Sequence, residues 1–169
     1  IEILALSVIV AGILLLISLI SFSPDDPNFV FPDNTVIKNL LGFRGSFTSD
    51  LFFQSFGLIA LLMPFSLIIS GINIFLNKKI FLIIESVFYI IIYSLLGSLF
   101  FSFFYPAAFD LYINGNGGFI GKYIVGTFLA TIININPKIF YYLLIFLILT
   151  LFLFSIQFRI SFFLKIIKK

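Results

Sequence analysis

Residues 50–79, DLFFQSFGLIALLMPFSLIISGINIFLNKK, decide the fold. Between Asp50 and Lys78 the stretch carries no charge, and it exceeds the roughly 20 apolar residues that a helix needs to cross a hydrocarbon core about 30 Å thick. Asp50 is well placed to cap the N-terminus of a spanning helix over residues 50–76. Pro64 withholds an N–H in mid-span and predicts a kink. Asn77-Lys78-Lys79 then reads as a tight basic turn beside the membrane. Gly57, Pro64 and Gly71 recur at seven-residue spacing with Ala60 beside them, which marks a face where another helix backbone can approach closely.

The same signal repeats on either side. Residues 3–20, 80–104 and 139–158 form three further apolar runs, separated by loops at 21–49 and 105–138. With 62% hydrophobic and 10% charged residues and a mean hydropathy of +1.25, the chain departs far from the roughly 45–50% apolar and 25% charged composition of soluble domains. Water-soluble classes are therefore excluded. The run at 3–20 is too long for a secretory h-region and lacks a basic flank, so it reads as a retained helix. Residues 119–133 are apolar but hold Gly121, Lys122 and Gly126; at this length they read as a short re-entrant or interfacial helix. The expected fold is all-α: one polytopic membrane domain over 1–169, a bundle of four transmembrane helices plus that short helix.

Charge sets the expected orientation. Lys78 and Lys79 flank one turn, and Arg159, Lys165, Lys168 and Lys169 follow the last span. Four crossings put both clusters on the cytoplasmic side, as positive residues prefer, whereas a fifth crossing would separate them. Both termini are then cytoplasmic and the two long loops face outward, with Tyr105, Tyr112, Tyr141 and Tyr142 near the outer boundary as aromatic anchors. The chain starts at Ile1 and closes on Lys168 and Lys169 directly after an apolar helix, so the expectation is a domain of a longer polypeptide.

In lipid, helices associate through close packing, so small residues mark interfaces. The third span carries Ser94, Ser98 and Ser102 on one stripe and Glu85, Tyr89 and Tyr93 on another. At about 100° per residue the stripes face opposite ways, which predicts an inner helix. Ser7, Ala11 and Ser18 are the expected contact face of the first span. The last span, nearly all Phe, Leu, Ile and Tyr, is expected to face lipid or another subunit.

Chemistry is sparse. The chain has no Cys and no His, which removes thiolates, imidazole bases and the usual zinc ligands. Asn116-Gly117-Gly118-Phe119-Ile120-Gly121-Lys122-Tyr123 resembles a phosphate loop only superficially, because Asn116 stands where Gly is needed and Tyr123 where Ser or Thr must hold magnesium. Glu85 lies near a helix N-terminus and a membrane face, so it and Asp50 are expected to be structural polar residues rather than an ion path. Asp25, Asp26 and Asp33 sit in a Pro-rich turn setting, where Asp bonds local amides more simply than it holds calcium. No catalytic, cofactor-binding or metal-binding residue is expected, and no small-molecule substrate.

Several of these stretches together resemble the membrane domain of the FtsK/SpoIIIE cell-division DNA translocases. They are Ser21-Phe22-Ser23-Pro24-Asp25-Asp26-Pro27, then Asn39, Gly42, Gly45, Ser46, Ser49 and Asp50 leading into Phe52-Phe53, then Phe56-Gly57 with Ala60 and Pro64, closing at Gly71, and finally Gly117-Gly118 with Ile120-Gly121. The resemblance implies a membrane anchor in the bacterial inner membrane, concentrated at the division septum and contacting other division proteins. It also implies a hexameric homo-oligomer in which ATP, Mg and DNA are handled only by a separate motor domain, coupling chromosome segregation to division. The alternative from composition alone is a small polytopic transporter or channel component, which would be expected to place several ionisable residues in mid-span. A membrane enzyme acting on lipid-linked substrates would need polar groups at a membrane face, where the loops offer little beyond Asp50 and Asp110.

Overall fold

The structure, a computed structural model, describes residues 1–27, 36–106 and 113–158. Asp33, Asp110, Tyr112, Arg159, Lys165, Lys168 and Lys169 lie outside the described residues. Seven α-helices follow in order: α1 (Glu2–Ile20), α2 (Gly42–Phe56), α3 (Met63–Asn77), α4 (Phe81–Phe104), α5 (Gly118–Val125), α6 (Phe128–Ile135) and α7 (Pro137–Ser155), with a 3₁₀ segment at Gly57–Leu62 joining α2 to α3. Among the described residues four units are long and apolar enough to cross a membrane: α1, the α2–α3 unit Gly42–Asn77, α4 and α7. Many of their large side chains, among them Leu6, Ile84, Phe88 and Phe146, are exposed, as lipid-facing surfaces require.

One end of the bundle is tied together across all four spans. Lys78 pairs with Glu2 at the start of α1. The Asn73 amide donates to the Ile156 carbonyl at 2.9 Å, and Gln157 donates to the Leu82 carbonyl at 2.8 Å. The start of α1, the turn between α3 and α4, and the end of α7 therefore share one face, which is the up-down-up-down arrangement that four crossings produce. Lys78 closes α3 in a left-handed conformation, its N–H returning to the Ile74 carbonyl.

Packing corrects several sequence expectations. The second span does not begin at Asp50: α2 starts at Gly42, and the loop before it ends at Leu41. Asp50 is a buried residue inside α2, accepting from the Gln54 side chain, rather than its cap. The break in this span is the 3₁₀ segment, which opens at Gly57 with a φ of 72°; Pro64 then sits in the first turn of α3, where its missing N–H costs nothing.

The contact face of α1 is also different. Ser7 and Ala11 are exposed, Ser7 bonding back to Ile3, while Ala5, Val8, Gly12, Leu15 and Leu19 are buried with Ser18. Their alternating spacing of three and four residues is that of a helix-pair seam. A Cβ on Gly12 would fall 2.8 Å from Ile68, and one on Gly71 would fall 2.6 Å from Ile9. Backbone proximity, rather than hydroxyl position, selected the face.

Finally, α7 is not left wholly to lipid. It runs along α4 in one of the two most extensive pairings of the fold, the other being α1 with α3. Leu144, Ile148 and Ser155 are buried, and Phe152 meets Tyr93 edge-to-face. Its other side, with Tyr142, Leu143, Phe146, Leu149, Leu153 and Phe154, remains exposed, as expected of a membrane face.

Residues 119–133 form two short helices, α5 and α6, bent by 73° at Gly126-Thr127. Each has eight residues and so reaches only about 12 Å, well short of the hydrocarbon core. Thr127 caps α6 by accepting from Leu129, and Asn136 caps α7 by accepting from Ile139.

Candidate functional site

Two clusters collect several of the residues singled out from the sequence, with Gly57, Ser98 and Ser102 among them. The first is a crossing of three backbones where the 3₁₀ break, the Asn114–Gly121 turn and α4 meet. Gly57 opens the break, and a Cβ there would lie within 2.5 Å of the Asn116 carbonyl carbon. That carbonyl receives the Leu58 N–H at 2.9 Å, so the turn supplies the partner that the interrupted helix lost. Gly118, with a φ of 65°, lies against Ser55 and Gly57, and Gly117 and Gly121 face Ser98 and Ser102.

Across the junction, the Ser98 hydroxyl donates to the Phe56 carbonyl at 2.9 Å. Asn116 is fully buried and its amide donates to the Tyr105 carbonyl. Asn114 closes the rim by bonding Gln54 through its backbone N–H at 3.2 Å. Tyr105 and Tyr141 share a hydroxyl hydrogen bond of 2.8 Å at the same end.

Of the remaining helix-packing residues, Ala60 is fully buried beside Phe53 and Met63, and Gly71 meets α1 near Ala5 and Ile9. Ser94 is buried and bonds back to the Ile90 carbonyl within its own helix. Glu85 stands apart. It is half-buried about one turn into α4 and lines a cleft of about 220 Å³ with Leu82, Phe154, Gln157 and Phe158.

The second cluster locks the first loop onto the helix ends. Asp26 accepts the Lys38 and Asn39 N–H groups, each at 2.8 Å. The Asn39 amide donates to the Ser18 and Ser21 carbonyls, and its oxygen accepts the Leu41 N–H. Ser18 reaches the Gly45 carbonyl at 2.6 Å, and Ser46 reaches Pro27 at 2.8 Å. Pro24 and Asp25 do form a turn, closed by the Asp26 N–H on the Ser23 carbonyl, but the side chains bond beyond it: Asp26 clamps backbone across the loop, while Asp25 pairs with Lys38 at 2.8 Å. That carboxylate holds the exposed Lys38 above the ordinary lysine value of 10.5.

A third group was not anticipated from sequence. Ser66 bonds both the Tyr93 hydroxyl, at 3.1 Å, and the Ser155 hydroxyl, at 2.6 Å, while Ser86 donates to the Ser155 carbonyl. It pins α3, α4 and α7 together. The advance signal was hydroxyls scattered through three apolar runs, among them Ser66, Ser86, Tyr93 and Ser155, which nothing in the sequence aligns.

Most polar groups of these clusters are spent on one another, hydroxyls, amides, carbonyls and the Asp25 and Asp26 carboxylates alike, whereas the buried Asn116 side-chain oxygen has no hydrogen-bond partner among the described residues. The clusters satisfy backbone interrupted within or beside the bilayer, where an unpaired group would cost several kcal/mol. Fold and site together define an integral membrane domain, a four-span helical bundle whose polar groups hold its own backbone rather than a reacting substrate. The chain belongs to the family described as the 4TM region of DNA translocase FtsK/SpoIIIE, which matches residues 1–168.

Among relatives, the DNA translocase FtsK of Rickettsia bellii (strain RML369-C) is 33% identical over 128 residues, 74% of this chain and 16% of its own length. That of Rickettsia typhi (strain ATCC VR-144 / Wilmington) is 36% identical over 64 residues, 38% of this chain and 9% of its own. The chain thus spans well under a fifth of the curated relatives it matches. No solved structure matches it. The region is the membrane domain of such proteins, separate from the ATPase motor.

Proposed function

We propose that this chain anchors an FtsK-like DNA translocase in the bacterial inner membrane and concentrates it at the division septum, so that chromosome segregation is coupled to cell division. The observation that carries the reading is the family match over residues 1–168. The bundle supports it: the start of α1, the Lys78-Lys79 turn and the end of α7 share one face, and placing that basic face in the cytoplasm puts both termini there. The opposite face, with the Asp26–Asn39 lock and the Tyr105–Tyr141 pair, is then presented to other division proteins. Assembly as a homo-oligomer, a hexamer by resemblance, belongs to the same proposal, and ATP, Mg and DNA are assigned to the motor domain.

A transporter component is the second reading, because a broken span meeting a bent helix pair is a construction that transporters use around a substrate site. Here the junction is filled by the Leu58–Asn116 and Ser98–Phe56 bonds, which favours a structural role. The test is localisation in dividing cells of the native host. The chain fused at Lys169 to a fluorescent protein should concentrate at the division site without the motor. Uniform distribution around the envelope would overturn self-sufficient targeting.

A further inference from the structure

An apolar groove of about 380 Å³ runs between α1, α2 and α3 from the loop end of the bundle inward. Its walls are Ala11, Leu14 and Leu15 of α1, Phe52 of α2 and Leu67 of α3, and Arg44 stands at its mouth in the first turn of α2. Two hydroxyls lie in the wall, but Ser18 is spent on the Gly45 carbonyl and Thr48 on the Arg44 carbonyl. The interior therefore offers a ligand hydrocarbon contact alone. From Arg44 to Phe52 along α2 the groove extends about 12 Å, close to the roughly 15 Å depth of one leaflet's hydrocarbon.

Among the described residues no ion pair engages the charge at the mouth. Lys38 on the same face is tied to Asp25, whereas Arg44 has no carboxylate partner among the described residues and is exposed. The N-terminus of α2 beside it has no side-chain cap, so the helix dipole adds to the positive potential there. A guanidinium at headgroup level is matched to a phosphate, which it can hold through two parallel hydrogen bonds.

The mouth selects among occupants: an apolar wall running inward from an exposed guanidinium offers hydrocarbon contact below and phosphate contact above, the two parts of a phospholipid. We infer that this groove is a binding site for an anionic phospholipid, with one acyl chain against Ala11, Leu15 and Phe52 and the phosphate on Arg44.

The test uses the full-length protein purified in detergent and exchanged against an equimolar mixture of phosphatidylglycerol and phosphatidylethanolamine, after which retained lipid is extracted and quantified by mass spectrometry. Phosphatidylglycerol should be retained over phosphatidylethanolamine, and Arg44→Gln should lower its retention roughly tenfold, as expected for losing a charge-assisted contact. Arg44→Lys should keep part of the preference as a point charge. Ala11→Phe, which fills the groove, should remove both lipids while the thermal midpoint holds. If Ala11→Phe does not fold, the Arg44→Gln comparison decides alone, because Arg44 is exposed. Wild-type retention by Arg44→Gln would overturn the inference, and so would loss of self-association rather than of lipid in Ala11→Phe, which would assign the groove to a second copy of the chain.

Discussion

Gly121→Ala separates two views of α5 by the sign of its effect. If α5 merely lay at the membrane surface, the change would stabilise it by about 1 kcal/mol, because alanine loses less backbone freedom than glycine in a helix. In the structure, however, a Cβ at position 121 would sit 2.8 Å from the Ser98 carbonyl carbon and closer still to its oxygen. Ordinary carbon contacts lie at about 3.5–4.0 Å, so α5 must retreat from α4 by about 1 Å. Overpacking of this kind costs about 1–3 kcal/mol. The retreat also draws Asn116 from Leu58, weakening a bond worth about 1 kcal/mol. After the propensity gain, a net destabilisation of about 1–3 kcal/mol is expected. Because the chain has no Trp, far-ultraviolet circular dichroism during denaturant titration in micelles is the suitable assay. Gly126→Ala is the control: position 126 is exposed with a φ of −67°, and its nearest neighbour is at 3.3 Å, so a change within about 0.5 kcal/mol is expected. A stabilising Gly121→Ala, or one matching Gly126→Ala, would refute the crossing.

Two adjacent positions on α7 test its packing: Ile148 is 7% exposed and Leu149 is 54% exposed, so Ile148→Ala should cost about 2–4 kcal/mol and Leu149→Ala far less in the same titration, while equal losses would deny the α4–α7 interface. Orientation can be read by single cysteines in this cysteine-free chain. Placed at Leu40 and Ile113 they should label from outside, and at Asn77 and Phe158 from inside; Asn116 is unsuitable because it is fully buried. Outside labelling at Phe158 would remove the four-crossing orientation.

The number of spans and their approximate places were legible because partition into lipid depends on apolar length and composition, which residues 3–20, 50–76, 80–104 and 139–158 declare without reference to any neighbour. The family was legible for a related reason, since turn and glycine positions such as Asp26, Asn39, Gly57 and Gly121 are demanded by backbone geometry at specific places. What the chain could not declare alone was which side of each apolar helix finds a partner. On α7 nearly every residue is large and apolar, so no periodicity distinguishes Ile148 from Leu149, and only the approach of α4 does. The polar opening of α2, with Arg44, Ser46, Thr48 and Ser49, reads as loop by hydropathy. It becomes helix because Ser18, Asn39 and Pro27 hold it from sites distant in the chain. The break likewise falls at Gly57 rather than Pro64 because the carbonyl that satisfies Leu58 comes from Asn116. Partition energy is local and additive along the sequence, whereas hydrogen-bond satisfaction inside a bilayer is settled between segments, and only tertiary structure brings those segments together.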